Sequence, residues 1–118
     1  MFHFRLKPSG VAGAGVGVFA TADIPRGTYL RELFADDDVR TLTWEEFAAL
    51  DLPPELKENF PVRYDDACYL PRDFNRLSIG WYLNHSLEPN LARDDKHDYF
   101  AVRDIAAGEE LFIDYDRL

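Results

Sequence analysis

Apolar and polar residues alternate through Phe2-His3-Phe4-Arg5-Leu6, the period of a β-strand. Lys7-Pro8-Ser9-Gly10 then marks a turn. Glycines crowd the stretch from Gly10 to Gly17. They are expected between or within short strands, where backbone must come close to another group. Ala22-Asp23-Ile24-Pro25-Arg26-Gly27 reads as a turn, and Thr28-Tyr29-Leu30-Arg31-Glu32-Leu33 after it as a strand. Thr43 and Glu46 form a capping-box pattern that predicts a helix through Phe47-Ala48-Ala49-Leu50. A second short helix is expected from Pro54, with Pro61 as its stop. The aromatic, β-prone segment Tyr64–Leu70 predicts a strand, and the apolar run Leu77–Leu83 a short helix. The tail from Tyr99 predicts strand, turn at Ala107-Gly108, and strand. No internal repeat, low-complexity tract or linker stands out. The predicted class is mainly β, with a short helical insert at about residues 43–76 of one domain spanning 1–118.

Composition narrows the function classes. The 118 residues suit one domain, and nine Phe, six Tyr and two Trp supply a core. Cys68 is the one cysteine, which excludes an internal disulfide and a cysteine zinc site. The formal net charge of −9 argues against direct nucleic-acid binding, because neutralising phosphates needs a basic face. It suits a basic protein or peptide partner. The N-terminus lacks a signal-peptide apolar region, and no segment reaches bilayer-spanning length. A soluble, intracellular, cytoplasmic protein with no membrane partner is therefore expected. Gly15-Val16-Gly17-Val18-Phe19-Ala20 matches G-x-G-x-x-A, but a dinucleotide loop must open a helix, and a turn follows here instead.

The densest chemistry lies in Tyr82-Leu83-Asn84-His85-Ser86-Leu87-Glu88-Pro89-Asn90. Asn84-His85-Ser86 fits the N-x-S glycosylation pattern, which an intracellular chain never presents to that machinery. His85 and Ser86 are adjacent, which hinders the in-line geometry of a hydrolytic triad, and no nucleophile-elbow motif is present. His3, His85 and His97 are scattered, and Asp94, Asp95, His97 and Asp98 read as a solvated hairpin tip. No metal is expected.

Three segments taken in order carry a resemblance. Gly15-Val16-Gly17 leads the first, Asn84-His85-Ser86-Leu87-Glu88-Pro89-Asn90 forms the second, and Gly108-Glu109-Glu110-Leu111-Phe112-Ile113-Asp114-Tyr115 ends the third. Together they resemble the SET domain of protein lysine methyltransferases, in a minimal form that lacks a cysteine-rich segment after the domain. The resemblance implies a SET fold of small β-sheets with a C-terminal pseudoknot. It implies an S-adenosyl-L-methionine site contacted by Gly15, Val16, Gly17, Asn84 and His85. It implies that Tyr115 is the catalytic residue, that Tyr82 and Ile113 line the substrate channel, and that a lysine in a basic protein is methylated. An interaction module on the same fold, transferring no methyl, is the alternative. The chain departs from many relatives in having Trp81-Tyr82-Leu83 before the Asn-His pair, Leu87 where zinc-binding relatives have cysteine, and Ile113 where Phe or Tyr is usual. Relatives close the lysine channel with a segment beyond the tyrosine, whereas Asp116, Arg117 and Leu118 follow it here. A homodimer in which the partner covers the channel is therefore expected.

Overall fold

In the computed structural model, which describes residues 1–59, 62–63 and 67–117, short strands dominate. β1 (Phe4–Pro8) pairs antiparallel with β2 (Val16–Ala20), with Leu6 opposite Val18. Then come β3 (Val39–Leu42), the helices α1 (Trp44–Ala49) and α2 (Pro54–Asn59), β4 (Val62–Arg63) and β5 (Cys68–Pro71). β6 (Asn84–His85), β7 (Leu91–Arg93), β8 (Tyr99–Ala101) and β9 (Glu110–Ile113) complete the strands. Among the described residues, no helix is long and apolar enough to cross a membrane.

The chain separates into two compact units. The larger comprises Met1–Phe34 and Ile79–Leu118. Its main sheet has the order β1-β2-β9-β6, and β7 and β8 form a separate hairpin. Val18, Ala20, Ile24, Leu30, Leu33, Leu83, Leu91, Ala101, Ile105, Leu111 and Ile113 form one buried cluster. Each large aliphatic of this set contributes about 1.5–3 kcal/mol by leaving water, before ordering costs are counted. The expected strand over Thr28–Leu33 is instead a single bridge at Tyr29 followed by a 3-10 turn, Arg31–Leu33. Leu30 and Leu33 then share the core, and helical spacing of that kind places residues three apart on one side. The expected helix in Leu77–Leu83 is a 3-10 turn confined to Ile79–Tyr82. It is held where a Cβ on Gly80 would come within 2.4 Å of the Phe34 ring and 2.8 Å of the Leu33 carbonyl oxygen.

An internal two-fold arrangement, which the sequence reading misses, runs through this unit. Ile24 and Ile105 exchange backbone hydrogen bonds at 2.8 and 2.9 Å. Asp23 accepts from the Ala107 amide at 2.9 Å, and Asp104 accepts from the Arg26 amide at 2.8 Å. The Gly27 amide donates to Ala101 and the Gly108 amide to Ala20, both at 2.8 Å. Both glycines sit at positive φ, 85° and 89°. The shared signal is Asp-Ile-x-x-Gly at 23–27 and 104–108. It is too short to register as a repeat, yet each aspartate caps the other turn.

The smaller unit, Ala35–Ser78, contains the two helices and also a three-stranded antiparallel sheet, order β3-β5-β4. The predicted capping box is present, with Thr43 accepting from the Glu46 amide at 3.1 Å and Glu46 accepting from the Thr43 amide at 2.9 Å. Phe47, Cys68 and Leu70 form its buried centre. The Ser78 amide donates to buried Asp38 at 2.8 Å and the Ala35 amide to Ser78 Oγ at 2.9 Å, tying the two ends of the unit together. The strand expected over Tyr64–Leu70 is found as β5, and residues 64–66 lie outside the described residues.

Candidate active site

The site is assembled where β6 meets β9. These two strands run parallel, with Asn84 opposite Phe112 and His85 opposite Ile113, and the Ser86 amide extends the ladder to the Ile113 carbonyl at 3.0 Å. Asn90, fully buried, substitutes for a strand neighbour. Its Nδ2 donates to the Glu110 carbonyl and its Oδ1 accepts from the Phe112 amide, both at 2.8 Å. Asn90, the last residue of the second motif, therefore supports the back of β9.

At one end of β6, Asn84 Nδ2 donates to the Val16 carbonyl at 3.0 Å and to Glu110 Oε2 at 3.1 Å. Asn84 is thus joined to the start of β2. Gly15 lies beside this point at φ 73°, a conformation that favours glycine, and a Cβ there would meet nothing within 4 Å. Gly17 has a different reason to be glycine. A Cβ on it would lie 2.3 Å from Glu110 Oε2 and 3.2 Å from Asn84 Nδ2. The resemblance implies that both glycines admit a ligand. The space over Gly15 is open, whereas the space over Gly17 is filled by the protein's own carboxylate.

At the other end, His85 Nδ1 accepts from the Tyr115 amide at 3.0 Å, and the two rings lie 5.2 Å apart. Because Nδ1 accepts, the neutral imidazole carries its proton on Nε2. The Tyr115 hydroxyl donates to the Leu83 carbonyl at 2.5 Å. The side chain as a whole is 51% exposed, but its hydroxyl end faces inward, and burial raises its pKa above 10.0. Ile113 is buried beside this end, while Tyr82 packs onto the main core from the Ile79–Tyr82 turn. The structure therefore brings Asn84 to Val16 and Gly17, and His85 to Tyr115 and Ile113.

His85, Asp114 and Asp116 lie close enough for their ligand atoms to share a cation, all within 4.8 Å of one another. Their bonds describe a turn instead. Asp114 Oδ1 accepts from the Asp116 amide at 3.0 Å, and the His85 lone pair is used by Tyr115. Arg117 Nε also stands 3.5 Å from Asp114 Oδ2. Glu110 and Asp114 were not singled out as site residues from sequence. The signal for both lies inside the Gly108–Tyr115 motif, where the resemblance assigns roles to Ile113 and Tyr115 alone.

A family model described as the SET domain matches residues 15–116. Among solved structures, the chain is similar to a humanised mutant of the Chaetomium thermophilum Polycomb Repressive Complex 2 bound to an inhibitor. The TM-score is 0.72 and the identity 21%, over 98% of this chain and 15% of that one. It is also similar to the Chaetomium complex in an autoinhibited conformation bound to S-adenosylmethionine, at TM-score 0.67 and 20% identity, over 99% and 16% of the two chains. A candidate histone methyltransferase of Plasmodium falciparum matches at TM-score 0.60 and 19% identity, over 98% of this chain and 94% of that one. The chain thus spans about one sixth of the polycomb chains and nearly the whole of the Plasmodium one. No curated protein matches the sequence at a significant level. With the ordered motifs, the β6–β9 pairing and a family model covering most of its length, the chain belongs to the SET domain family.

Proposed function

We propose that the chain is an S-adenosylmethionine-dependent protein-lysine N-methyltransferase acting on a lysine in a basic protein or peptide. The observation that carries this reading is the convergence, through one parallel strand pair, of Asn84 and the open glycine position on one side with His85 and Tyr115 on the other. The donor set fits the cofactor. Both N–H groups of Asn84 are spent on Val16 and Glu110, so its Oδ1 is the acceptor left for a ligand's N–H. Open space over Gly15 leaves backbone approachable there. When bound, the cofactor supplies a methyl group on a positively charged sulfonium. No metal is proposed.

The chain's own residues then have definable tasks. A lysine with an ordinary pKa of about 10.4 needs about 4–5 kcal/mol to be neutral near pH 7. Apolar walls disfavour the ammonium, and Ile113, buried opposite His85, would supply one. Tyr115 is pinned at its amide by His85 and at its hydroxyl by Leu83, so its oxygen presents a fixed lone pair to an incoming amine N–H. Orientation of this kind reduces the barrier without a strong base. Incubation with labelled S-adenosylmethionine and a mixture of basic proteins tests the reading. Label transferred to lysine is expected, and cofactor binding with no transfer would favour the interaction module.

One observation favours a two-chain arrangement. Leu87, which follows β6, and Tyr115, whose amide donates to His85 of β6, are 77% and 51% exposed. We propose that a second copy covers these two residues, since two-fold pairing is the commonest closed assembly. Light scattering over a dilution series checks it. A monomer with full activity at micromolar concentration would refute the dimer. A cytoplasmic location is proposed, with no membrane or nucleic-acid partner.

A further inference from the structure

Glu110 gathers more contacts at the site than any residue assigned a role above. Its Oε1 accepts from Ser9 Oγ at 3.0 Å and from the Gly10 amide at 2.9 Å. Its Oε2 accepts from Ser9 Oγ at 2.7 Å and from Asn84 Nδ2 at 3.1 Å. An ionised carboxylate is acceptor-only, and here every neighbour within reach offers a hydrogen. The partners come from opposite ends of the chain, so one side chain joins the glycine-rich β1–β2 loop, β9 and β6. The arrangement needs Gly17, because any Cβ there would occupy the space of Oε2.

The consequence falls on Asn84. Its amide faces two groups that can only accept, the Val16 carbonyl and the Glu110 carboxylate. The flipped amide would set its oxygen against both, so the orientation is dictated and Oδ1 is left on the remaining side. We infer that Glu110 is a positioning residue: it latches the Ser9–Gly17 loop onto β6 and holds the Asn84 carbonyl oxygen ready to accept an N–H of the cofactor. The cofactor half of this inference rests on the methyltransferase reading, while the latch stands without it.

Glu110→Gln keeps the side chain's size but places an N–H₂ where an acceptor is needed. The Asn84 amide is then free to turn. Gly17→Ala reaches the same end with the glutamate intact, by displacing the end of a flexible side chain. Two measurements decide the matter. In the ligand-free protein, the Asn84 side-chain N–H protons should exchange slowly with water by NMR, and quickly in both variants. Exchange unchanged by either substitution would overturn the latch. Calorimetry with S-adenosylhomocysteine should show Kd raised about tenfold by either change, the scale of one lost charge-assisted hydrogen bond. Asn84→Ala combined with Glu110→Gln should bind no more weakly than Asn84→Ala alone. Additive losses would mean that Glu110 does not act through Asn84. If the unaltered chain binds no S-adenosylhomocysteine, the cofactor reading fails, and the exchange measurement still decides the latch.

Discussion

Tyr115 is fixed at both ends, and its surroundings determine how it responds to pH. Burial of the hydroxyl end raises its pKa from 10.0. Desolvation disfavours the phenolate, so the hydroxyl stays protonated throughout the neutral range, which suits the orienting role proposed for it rather than that of a base. On the proposed methyltransferase reading, the rate is therefore expected to rise with pH as a substrate lysine loses its proton, with no separate inflection from Tyr115 below pH 10. The effect on stability has a definite sign. Below pH 10 both folded and unfolded states carry the proton and Tyr115 adds no pH dependence. As pH climbs from 10 through the raised folded-state value, the unfolded chain ionises first and stability falls. Tyr115→Phe should lessen that fall in urea unfolding at alkaline pH, leaving the part that comes from Tyr29, whose hydrogen bond to Asp94 also raises its pKa. It should also lower turnover about a hundredfold, the lower end for a positioned proton-handling group, while cofactor Kd holds. Turnover equal to that of the parent would show that the tyrosine is structural.

At the scale of elements, the local signals that survive folding are those with their own hydrogen bonds. The capping box at Thr43 and Glu46 reads directly from sequence because both its partners are local, and the Gly108 turn reads from its glycine although Asp23 and Ala20 hold it from a distance. Thr28–Leu33 was misread as a strand because its apolar residues alternate imperfectly, and packing of Leu30 and Leu33 into the core decided between period two and period three. The β6–β9 pair is illegible from periodicity, since two residues carry no period, and only the motif order pointed to it. Glu110's latch and Asn90's support of β9 join residues far apart in the chain, which no local pattern encodes. The paired turns give a direct test at this scale. Gly108 sits at φ 89° with its amide bonded to Ala20, so Gly108→Ala forces a Cβ into the left-handed region. A loss of about 1–2 kcal/mol is expected in chemical denaturation. Gly27→Ala, at φ 85° in the matching turn, should cost a similar amount. A loss at one turn and none at the other would show that the two-fold arrangement is not shared in energy.

For the whole molecule, the net charge of −9 serves two ends that can be separated. Some carboxylates are committed to the backbone: Asp23 and Asp104 cap the paired turns, Asp38 holds Ser78, and Glu109 accepts from the Ala106 amide and pairs with Arg103 at 3.0 Å. These bonds hold Glu109 below its ordinary carboxylate range, so they help the folded state above that range and are lost on acidification. Short-range contacts of this kind respond weakly to salt. Other acidic side chains, such as Asp36, Asp37 and Asp95, are exposed and add to a field that reaches into solvent. If that field draws a basic substrate, its influence ends within a Debye length of about 8 Å at 0.15 M salt. The peptide KM should then rise steeply between 0.05 and 0.5 M salt, roughly the span over which that length shrinks from over 13 Å to under 5 Å. The cofactor KM should change less, because the contacts proposed for it are with Asn84 and backbone groups rather than with a diffuse field. Initial rates with a lysine-rich peptide, measured across that range at saturating cofactor, provide the check. A peptide KM that ignores salt would mean that the acidic surface keeps the protein dispersed and that the substrate is chosen by shape at the Tyr115 end of the site.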